Sequence, residues 1–365
     1  MRVALLVPVL STHDAVGNDV LEMAVALRTR GHEVRLYADS AVGIDENVHK
    51  PSTLKQFLRD RGDVLLYHYS IGWPAAHDLL QNTRARCVVR YHNVTPARFF
   101  EPYSRDYVNA CSAGRAQIAD IVALDRDLYL ADSPYNLDEL LDLGLAAERG
   151  AVLAPFNRVD ELIAANADLD FIDRHADGTH LLMVGRIAPN KGHIALIDAF
   201  AVYRREFDPD ARLLIVGKED PRLAGYGKLI RERARRWGVS DHVSMLGAVS
   251  EGQLKAAYLS ADAFVLLSEH EGFCVPVVEA MALGVPIVAS GATAVASTVG
   301  DAGIVWDSTD PLLFATALAH LQKDAALRAQ LREAGQRRFR ENYSTRVLAA
   351  RLVELLERMP LERAA

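Results

Sequence analysis

The stretch Ser268–Ser290 reads SEHEGFCVPVVEAMALGVPIVAS and predicts a loop, a helix and a strand in that order. Pro276 suits the first turn of a helix, and Gly284 suits the position just after a helix ends. The apolar runs that precede Ser268 and follow Pro286 are short and unbroken, as in strands buried on both faces. The stretch therefore predicts one strand–helix–strand unit of a parallel α/β sheet.

The same alternation continues in both directions along the chain and predicts a series of such units. The predicted strands are Val3–Val7, Glu33–Tyr37, Asp63–Tyr67, Cys87–Tyr91, Tyr129–Ala131, His180–Val184, Arg212–Val216, His242–Leu246, Ala263–Leu267 and Pro286–Ala289. The predicted helices are Asn18–Arg30, Leu54–Arg61, Arg105–Leu124, Leu137–Leu143, His193–Phe207, Tyr226–Trp237, Glu251–Leu259, Pro276–Leu283 and Ser344–Met359.

A polar, irregular segment between about Asn157 and Gly178 divides this series into two halves. The chain has 365 residues, and half of them are apolar, which is enough for two hydrophobic cores. We therefore expect two Rossmann-like, doubly wound domains, residues 1–160 and residues 175–343. Because open parallel sheets bind ligands at the carboxyl ends of their strands, we expect the domains to face a central cleft.

Composition excludes several classes of protein. The formal net charge is −7 and charges of both signs are interspersed, which disfavours a nucleic-acid binder. Cys87, Cys111 and Cys274 form no CxxC pair, and no His/Cys/Asp cluster has metal-ligand spacing, so we expect a reducing compartment and no metal site. The apolar N-terminal run is too short for a signal peptide, and no stretch approaches the length of a membrane helix, so we expect a cytoplasmic protein.

Two glutamates and a helix start carry the chemistry of the stretch Ser268–Ser290. The amides of Phe273 and Cys274 precede the predicted helix, where the helix dipole favours phosphate or sugar oxygens. A carboxylate repels phosphate but accepts hydrogen bonds from vicinal hydroxyls. Glu279 is therefore a candidate for binding ribose, and Glu271 for binding the hydroxyls of a transferred sugar. The alternative is a solvated helix residue and a turn residue, although the apolar neighbours of Glu279 predict a buried helix.

The segment Met183–Gly192, MVGRIAPNKG, places two cations in one predicted strand-to-helix loop. Fixed cations such as Arg186 and Lys191 stabilise a departing diphosphate without a metal. The alternative is a pair of exposed basic residues. A predicted turn at Gly17–Asn18, after the first strand, would also let backbone amides approach a diphosphate, and a plain turn is an equal alternative.

Two histidines and a basic–aromatic segment extend the candidate site into the first half. His68 and His92 follow predicted strands, and His92 with Asn93 would orient the sugar or the acceptor nucleophile, whereas a structural role is favoured for His68. The segment that begins at Arg98 would contact the acceptor or lipid headgroups, with an ordinary surface loop as the alternative. Its basic and aromatic residues are Arg98, Phe99, Phe100, Tyr103 and Arg105.

These motifs together resemble the family-4 retaining glycosyltransferases. EGFCVPVVEAMALGVPIVAS resembles the E-x7-E signature of that family, and VGRIAPNKG resembles its phosphate loop. LGAVSEGQLKAAYLSADAFVLLSEHEGF is similar to the run between them, and RTRGHEVRLYA, YHYSIG and ADSPYNLDELLDLG are similar to the N-terminal half. The segment RYHNVTPARFF resembles a bacterial subgroup linked to surface-polysaccharide synthesis.

The resemblance implies a GT-B fold, in which the C-terminal helix, residues 344–365, packs back onto the N-terminal domain. It implies transfer of a hexose from a nucleotide-diphosphate sugar, with retention of anomeric configuration and with neither metal nor cofactor. GDP-mannose or UDP-glucose is the favoured donor, and a glycan or lipid-linked saccharide is the expected acceptor. Weak peripheral association with the inner face of the cell membrane is compatible with this function.

The motifs and the resemblance together define the predicted site. The predicted catalytic residues are His92, Arg186, Lys191 and Glu271. The predicted donor-binding residues are Gly17, Asn18, Gly185, Arg186, Lys191, Gly217, Gly247, Val249, Glu271, Gly272, Phe273, Cys274, Val275 and Glu279. The predicted acceptor-binding residues are His68, Asn93 and Arg98.

Two residues depart from the family pattern. Asn18 stands where many members have a second glycine, and Cys274 stands where glycine or serine is common. Three alternative functions stay open from the sequence: a sugar phosphorylase, a sugar-nucleotide epimerase and a non-catalytic sugar-nucleotide-binding subunit.

Overall fold

The computed structural model describes residues 1–12 and 14–361. The strands are β1 Arg2–Ser11, β2 Glu33–Val42, β3 Val48–His49, β4 Val64–Tyr69, β5 Arg86–Tyr91, β6 Leu128–Ala131, β7 Gly150–Val152, β8 His180–Val184, β9 Arg212–Val216, β10 Val243–Gly247, β11 Ala263–Leu266, β12 Ile287–Ser290 and β13 Gly303–Trp306. The helices are α1 Ala15–Thr29, α2 Leu54–Phe57, α3 Ala75–Gln81, α4 Arg105–Ala123, α5 Pro134–Asp142, α6 Val159–Ala164, α7 Leu169–Arg174, α8 His193–Glu206, α9 Ala224–Trp237, α10 Glu251–Leu259, α11 Val275–Leu283, α12 Val295–Val299, α13 Pro311–Lys323, α14 Ala325–Arg338 and α15 Thr345–Arg358.

The chain divides into two compact units that are interleaved in sequence. Unit 1 consists of Met1–Ala97, Asp106–Arg158 and Asn342–Ala365. Unit 2 consists of Arg98–Arg105 and Val159–Glu341. The last four residues of the predicted C-terminal helix 344–365 lie outside the described residues.

Unit 1 is built on a parallel sheet with the strand order β3-β2-β1-β4-β5-β6-β7. Side chains alternate along β1, so Val3 and Leu5 face one layer while Ala4 and Leu6 face the other. Both layers are covered by helices, which explains why β1 reads as an unbroken apolar run. The last helix, α15, packs in the layer of Val3, and its buried residues are Leu348, Leu352 and Leu356, four residues apart.

Unit 2 is built on a second parallel sheet, with the order β10-β9-β8-β11-β12-β13. Its central strands β11 and β12 are buried along their whole length. Helix α8 packs against α13, and the buried side chains of this layer include Phe200 and Phe314. The predicted α/β class with two doubly wound, Rossmann-like domains is confirmed.

Several local predictions differ from the structure. The segment predicted as irregular, between about Asn157 and Gly178, contains α6 and α7. The helix predicted to reach Arg61 ends at Phe57, because Leu58 turns extended and the Arg59 amide donates to Asp63. The short strands β3, β7 and β13 were not predicted.

The predicted first domain of residues 1–160 also differs, because Arg98–Arg105 belongs to unit 2. The ring of Tyr103 packs edge-on against Tyr226, with centroids 5.4 Å apart, and Phe99 lies beside His270. These aromatic contacts place the segment with the second sheet. In the described part of the chain, no helix is both long enough and apolar enough to cross a membrane.

Candidate functional site

The second sheet changes direction between β8 and β11. The chain runs outward from β8 through β9 to β10, and it then returns to the other side of β8 for β11, β12 and β13. The loops that follow β8 and β11 therefore diverge at the carboxyl edge of the sheet, where open α/β sheets hold their ligands. These loops contain Gly185–Gly192 and Leu267–Cys274, the two motifs that the sequence singled out.

Backbone contacts join the two loops. The carbonyl of Asn190 accepts from the amides of Glu269 at 2.9 Å and His270 at 3.3 Å, and its side-chain amide donates to the His270 carbonyl at 3.0 Å. Gly192 has φ 67°, and a Cβ there would lie 1.8 Å from the carbonyl oxygen of Leu267. Only glycine permits this approach. Sequence reasoning missed Asn190, although an asparagine between Pro189 and a lysine was the available signal.

Lys191 and Glu271 form an ion pair across the two loops. The Lys191 Nζ atom donates to Glu271 Oε1 at 2.8 Å and to Oε2 at 2.7 Å, and the two side chains are 16% and 6% exposed. The Ser268 hydroxyl donates to Oε1 at 2.7 Å. Thr293 fixes the backbone, since its Oγ1 accepts from the Glu271 amide at 2.8 Å and donates to the Glu271 carbonyl at 2.7 Å. A charged, partly buried pair is thus held in one geometry.

Arg186 follows β8 directly and is exposed. Among the residues that the structure describes, its guanidinium has no ion-pair or hydrogen-bond partner. The loop after β8 therefore presents one engaged cation, Lys191, and one available cation, Arg186.

Helix α11 begins at the same edge of the sheet. Cys274 precedes it with φ 80°, in the left-handed region, and Pro276 lies in the first turn. Within the described residues, the amides of Cys274 and Val275 have no acceptor, so they offer two donors at the positive end of the helix. Burial raises the pKa of the Cys274 thiol well above its usual value, which keeps it protonated. Thr298 Oγ1 donates to the Phe273 carbonyl at 2.8 Å.

Glu279 lies one turn into α11 and is half-buried. Its Oε2 atom accepts a hydrogen bond of 2.6 Å from the hydroxyl of Tyr258, which is fully buried. Burial raises the pKa of Glu279, and the Tyr258 hydrogen bond opposes that increase. Sequence reasoning did not find Tyr258, because it is 21 residues away on another helix.

Backbone groups line the carboxyl edge at the outer strands of the second sheet. The Gly217 amide donates to the Gly247 carbonyl at 2.9 Å, and the Gly185 amide donates to the Val216 carbonyl at 2.9 Å. Val249 lies just beyond and is partly exposed. The structure therefore brings the predicted residues after β8, β9, β10 and β11 to one edge of one sheet.

A second polar cluster is buried in unit 1 around Arg90. The Arg90 Nε atom lies 2.6 Å from Asp19 Oδ2, and its Nη2 lies 3.1 Å from Asp132 Oδ1. The remaining guanidinium contacts go to Asp19 Oδ1 and to the Leu153 and Ala154 carbonyls. Burial alone would raise the pKa of Asp19, but Arg90 and His68 hold it well below the usual range.

The two predicted histidines lie beside this cluster. His68 lies within β4 rather than after it, and its Nδ1 is 2.9 Å from His92 Nε2. His92 Nδ1 is 2.9 Å from Asp132 Oδ2. These contacts assign a proton to His92 Nδ1, so that its Nε2 accepts from His68. Burial lowers the pKa of His68 to about 4, which keeps that ring neutral at neutral pH.

The imidazoles are therefore directed inward. His68 is fully buried, and the side chain of His92 is only 4% exposed. The exposed part of His92 is its backbone. The predicted acceptor contact of the His68 side chain is wrong for this structure, because no part of it reaches solvent.

Three potential ligand atoms of the cluster are close enough to hold a metal ion. Asp19 Oδ2, His68 Nδ1 and His92 Nε2 lie within 4.8 Å of one another. However, the Arg90 guanidinium already contacts the same Asp19 oxygen, and its positive charge opposes a second cation there. The arrangement suits a hydrogen bond between the two rings better than a metal.

The side chains of the predicted acceptor residues Asn93 and Arg98 make other contacts. Asn93 is buried with φ 70°, and its amide donates to Asn136 at 3.0 Å and to Glu139 at 2.6 Å. Its side chain therefore holds the loop after β5 and is not directed at solvent. Arg98 is exposed, lies over the Phe99 ring at 4.8 Å, and belongs to unit 2.

The predicted turn at Gly17–Asn18 is wrong, because both residues lie in the first turns of α1. The Gly17 amide donates to Asp14 Oδ1 at 2.7 Å, and the Asn18 amide donates to the Asp14 carbonyl at 3.1 Å. A Cβ at Gly17 would lie 1.6 Å from the Ser11 carbonyl oxygen. Glycine is needed here for the packing of α1 against the end of β1, and these two amides are already used.

Comparison with known proteins identifies the segment that carries the loops after β8 and β11. Residues 169–338, nearly half of the chain, match the family model "Glycosyl transferases group 1". This segment is therefore similar to a group 1 glycosyltransferase domain. The matched residues include Arg186, Lys191, Glu271 and Glu279, whereas His68, His92, Asn93 and Arg98 precede them.

Curated relatives match over parts of their length. Mannosylfructose-phosphate synthase of Agrobacterium fabrum is 35% identical over 181 residues, which are 48% of this chain and 40% of that protein. D-inositol 3-phosphate glycosyltransferase of Corynebacterium urealyticum is 30% identical over 269 residues, 71% of this chain and 61% of that protein. The chain thus spans about half the length of the curated relatives it matches.

The fold of nearly the whole chain also has a solved counterpart. HepE of Anabaena, crystallised with UDP and glucose, superposes with a TM-score of 0.77 at 16% identity. The superposition covers 98% of this chain and 99% of that one. At this level of identity the likeness shows the fold alone, which is GT-B.

Proposed function

We propose that this protein is a retaining glycosyltransferase that transfers a hexose from a nucleotide-diphosphate sugar to a saccharide acceptor without a metal ion. The observation that supports the proposal is the contact between Lys191 and Glu271 where the second sheet changes direction. A cation for phosphate and an acceptor for hydroxyls lie side by side there, next to the Cys274 and Val275 amides at the start of α11. A nucleotide sugar carries a diphosphate and, next to it, the hydroxyl groups of its sugar.

Each part of the donor has a proposed partner. Lys191, Arg186 and the amides of Cys274 and Val275 would bind the diphosphate, since cations and a helix N-terminus both favour negative charge. Glu271 would accept hydrogen bonds from the sugar hydroxyls. Glu279, with Tyr258 on one oxygen, would accept them from the ribose. The base would lie along the backbone at Gly217, Gly247 and Val249.

The proposed reaction proceeds on one face of the sugar. The bond between the anomeric carbon and the diphosphate oxygen breaks, and the acceptor oxygen bonds to the same face of that carbon. The acceptor proton passes to the departing diphosphate, which retains the electron pair of the broken bond. Arg186 and Lys191 stabilise the negative charge that develops on the leaving group, which is the main contribution of the protein.

The proposed donor is GDP-mannose or UDP-glucose, and the acceptor is a glycan or a lipid-linked saccharide of the cell surface. One relative is a mannosylfructose-phosphate synthase, and HepE was crystallised with UDP and glucose, which supports mannose or glucose as the transferred sugar. The RYHNVTPARFF segment supports an acceptor from surface polysaccharide synthesis. We place the protein in the cytoplasm, at the inner face of the membrane.

A thermal-shift screen with UDP, GDP, ADP and their sugars tests donor binding. A ligand at one hundred times its dissociation constant adds about 2.7 kcal/mol to the free energy of unfolding. The bound donor is then incubated with saccharide acceptors in the presence of EDTA, and the anomeric configuration of the product is read by NMR. Failure of every nucleotide to raise the melting temperature would falsify the proposal, and inversion or a requirement for metal would correct its mechanism.

A further inference from the structure

In this structure, the residues proposed to bind the diphosphate and the sugar bind each other. Lys191 contacts both oxygens of Glu271, and their backbones are held independently by Asn190 and Thr293. The side chains can therefore exchange partners without movement of the two loops. Any ligand that takes the ammonium group must compete with the carboxylate.

A ligand that carries only phosphate binds unfavourably, because it must take Lys191 from Glu271. If it takes Lys191, the Glu271 carboxylate, which is 6% exposed, keeps the Ser268 hydroxyl as its side-chain donor. Removing the partner of a buried charge is costly, because water does not replace it. The phosphate also brings a second negative charge close to that carboxylate, which repels it.

A ligand with a sugar next to its diphosphate avoids this cost. Its hydroxyl groups donate hydrogen bonds to Glu271 as the ammonium moves to the phosphate. We infer that the Lys191–Glu271 pair determines specificity, by selecting ligands that carry both phosphate and sugar hydroxyls over free phosphates and sugar-free nucleotides. This inference rests on the proposed function of the same site.

The same ion pair also favours release of the product after transfer. After transfer the nucleoside diphosphate no longer carries a sugar, so Glu271 has lost its hydroxyl donors. Lys191 then returns to Glu271, and this exchange weakens the hold on the diphosphate. The pair thus favours donor binding and product release with the same two side chains.

Inorganic pyrophosphate tests the inference, because it has neither sugar nor base. Its dissociation constant is measured by calorimetry for the wild type and for Glu271→Gln, which removes the negative charge that pairs with Lys191. We expect pyrophosphate to bind about tenfold more tightly to Glu271→Gln, equivalent to about 1.4 kcal/mol. The matched control is Glu269→Gln, which removes the same charge from an exposed position two residues away. In a Lys191→Ala background, Glu271→Gln should give no such gain.

Unchanged or weaker binding of pyrophosphate to Glu271→Gln would overturn the inference. An equal gain in Glu269→Gln would also overturn it, because that would indicate a general charge effect.

If Glu271→Gln does not fold, an experiment on the wild type tests the inference. Saturating hexose, mannose or glucose, should tighten pyrophosphate binding severalfold, and no change would count against the inference. If the wild type binds neither pyrophosphate nor any nucleoside diphosphate, the proposed function fails as well. If the wild type binds these ligands but the expected gain in pyrophosphate affinity is absent, only the inference fails and the proposed function is unaffected.

Discussion

The hydroxyl of Tyr258 donates to Glu279 Oε2 at 2.6 Å, and its oxygen also lies 3.2 Å from the carbonyl of Pro276. This buried tyrosine thereby ties the carboxylate to the first turn of its own helix, α11. Such a contact fixes the rotamer of Glu279 and leaves its second oxygen for a ligand. It also favours the charged carboxylate, since the hydrogen bond opposes the effect of burial on the pKa.

Tyr258→Phe should weaken binding of ribonucleotides about fivefold, because an ordinary hydrogen bond contributes roughly 1 kcal/mol and Tyr258 acts on the ribose only through Glu279. Binding of the 2′-deoxy nucleotide should change much less, since it makes fewer bonds to Glu279. Calorimetry with both nucleotides gives the ratio. Tyr203→Phe, a buried tyrosine on α8, is the control. Equal losses for the two nucleotides would indicate a general structural effect.

Lys191→Ala should lower turnover by about two orders of magnitude or more, by analogy with removal of one donor from an oxyanion hole. The loss should be in kcat, because the leaving-group charge is greatest in the transition state. Steady-state kinetics with the donor identified in the nucleotide screen measures it. Lys228→Ala, an exposed lysine on α9, is the control. A turnover near that of the wild type would remove the proposed role of Lys191.

Gly192→Ala and Gly238→Ala separate steric overlap from backbone strain. Both glycines have positive φ, 67° and 69°, but only Gly192 has a backbone atom, the Leu267 oxygen, within 2 Å of the added Cβ. Gly238→Ala should cost about 1 kcal/mol of unfolding free energy from strain alone. Gly192→Ala should cost about 3 kcal/mol more, because the loops after β8 and β11 must separate. Urea denaturation measures the loss of unfolding free energy in both variants. Similar losses would mean that the close approach of Gly192 to Leu267 is not needed for stability.

Burial, with the charge of Lys191 nearby, lowers the pKa of His193 to about 3 from its ordinary value of 6.5. As pH falls below 6.5, His193 therefore takes up a proton in the unfolded chain but not in the folded chain. The contribution of His193 to the unfolding free energy is fully present above pH 6.5 and decreases as pH falls toward 3. Between pH 7 and pH 5, His193 should account for a loss of about 2 kcal/mol.

His193→Phe removes this titration and keeps a ring against Tyr226. Urea denaturation at the two pH values should give a loss smaller by about 2 kcal/mol than in the wild type. His68, whose pKa is about 4, should supply a remaining dependence of the same sign. The exposed His320→Asn is the control. If His193→Phe leaves the pH dependence of the unfolding free energy unchanged, folding does not lower the pKa of His193 as expected.

The sequence predicted the strands of the second sheet well. His180–Val184 and Arg212–Val216 agree with β8 and β9 residue for residue, because strands buried on both faces are unbroken apolar runs. Strand β7, Gly150–Val152, has only three residues and no apolar run long enough to distinguish it. Short edge strands depend on their neighbours for pairing, so their own sequence indicates them poorly.

Side-chain partners were less predictable than positions. The sequence placed Lys191 and Glu271 at one nucleotide, but 80 residues separate them and nothing in their spacing predicts a mutual ion pair. The sequence also placed His92 at the end of a strand. The direction of its ring depends on Asp132 and His68, which come from two other strands or their ends, and that convergence exists only in the folded chain.

The assignment of Arg98–Arg105 to unit 2 has a practical consequence for dividing this protein into fragments. A recombinant C-terminal half that starts at Val159 would lack Phe99 and Tyr103, and it would leave Tyr226 and His270 without their aromatic neighbours. A fragment ending at residue 158 would carry those two rings with nothing from the second sheet to cover them. Neither half is therefore a natural expression unit, and ligand-binding work on this protein is best done with the intact polypeptide.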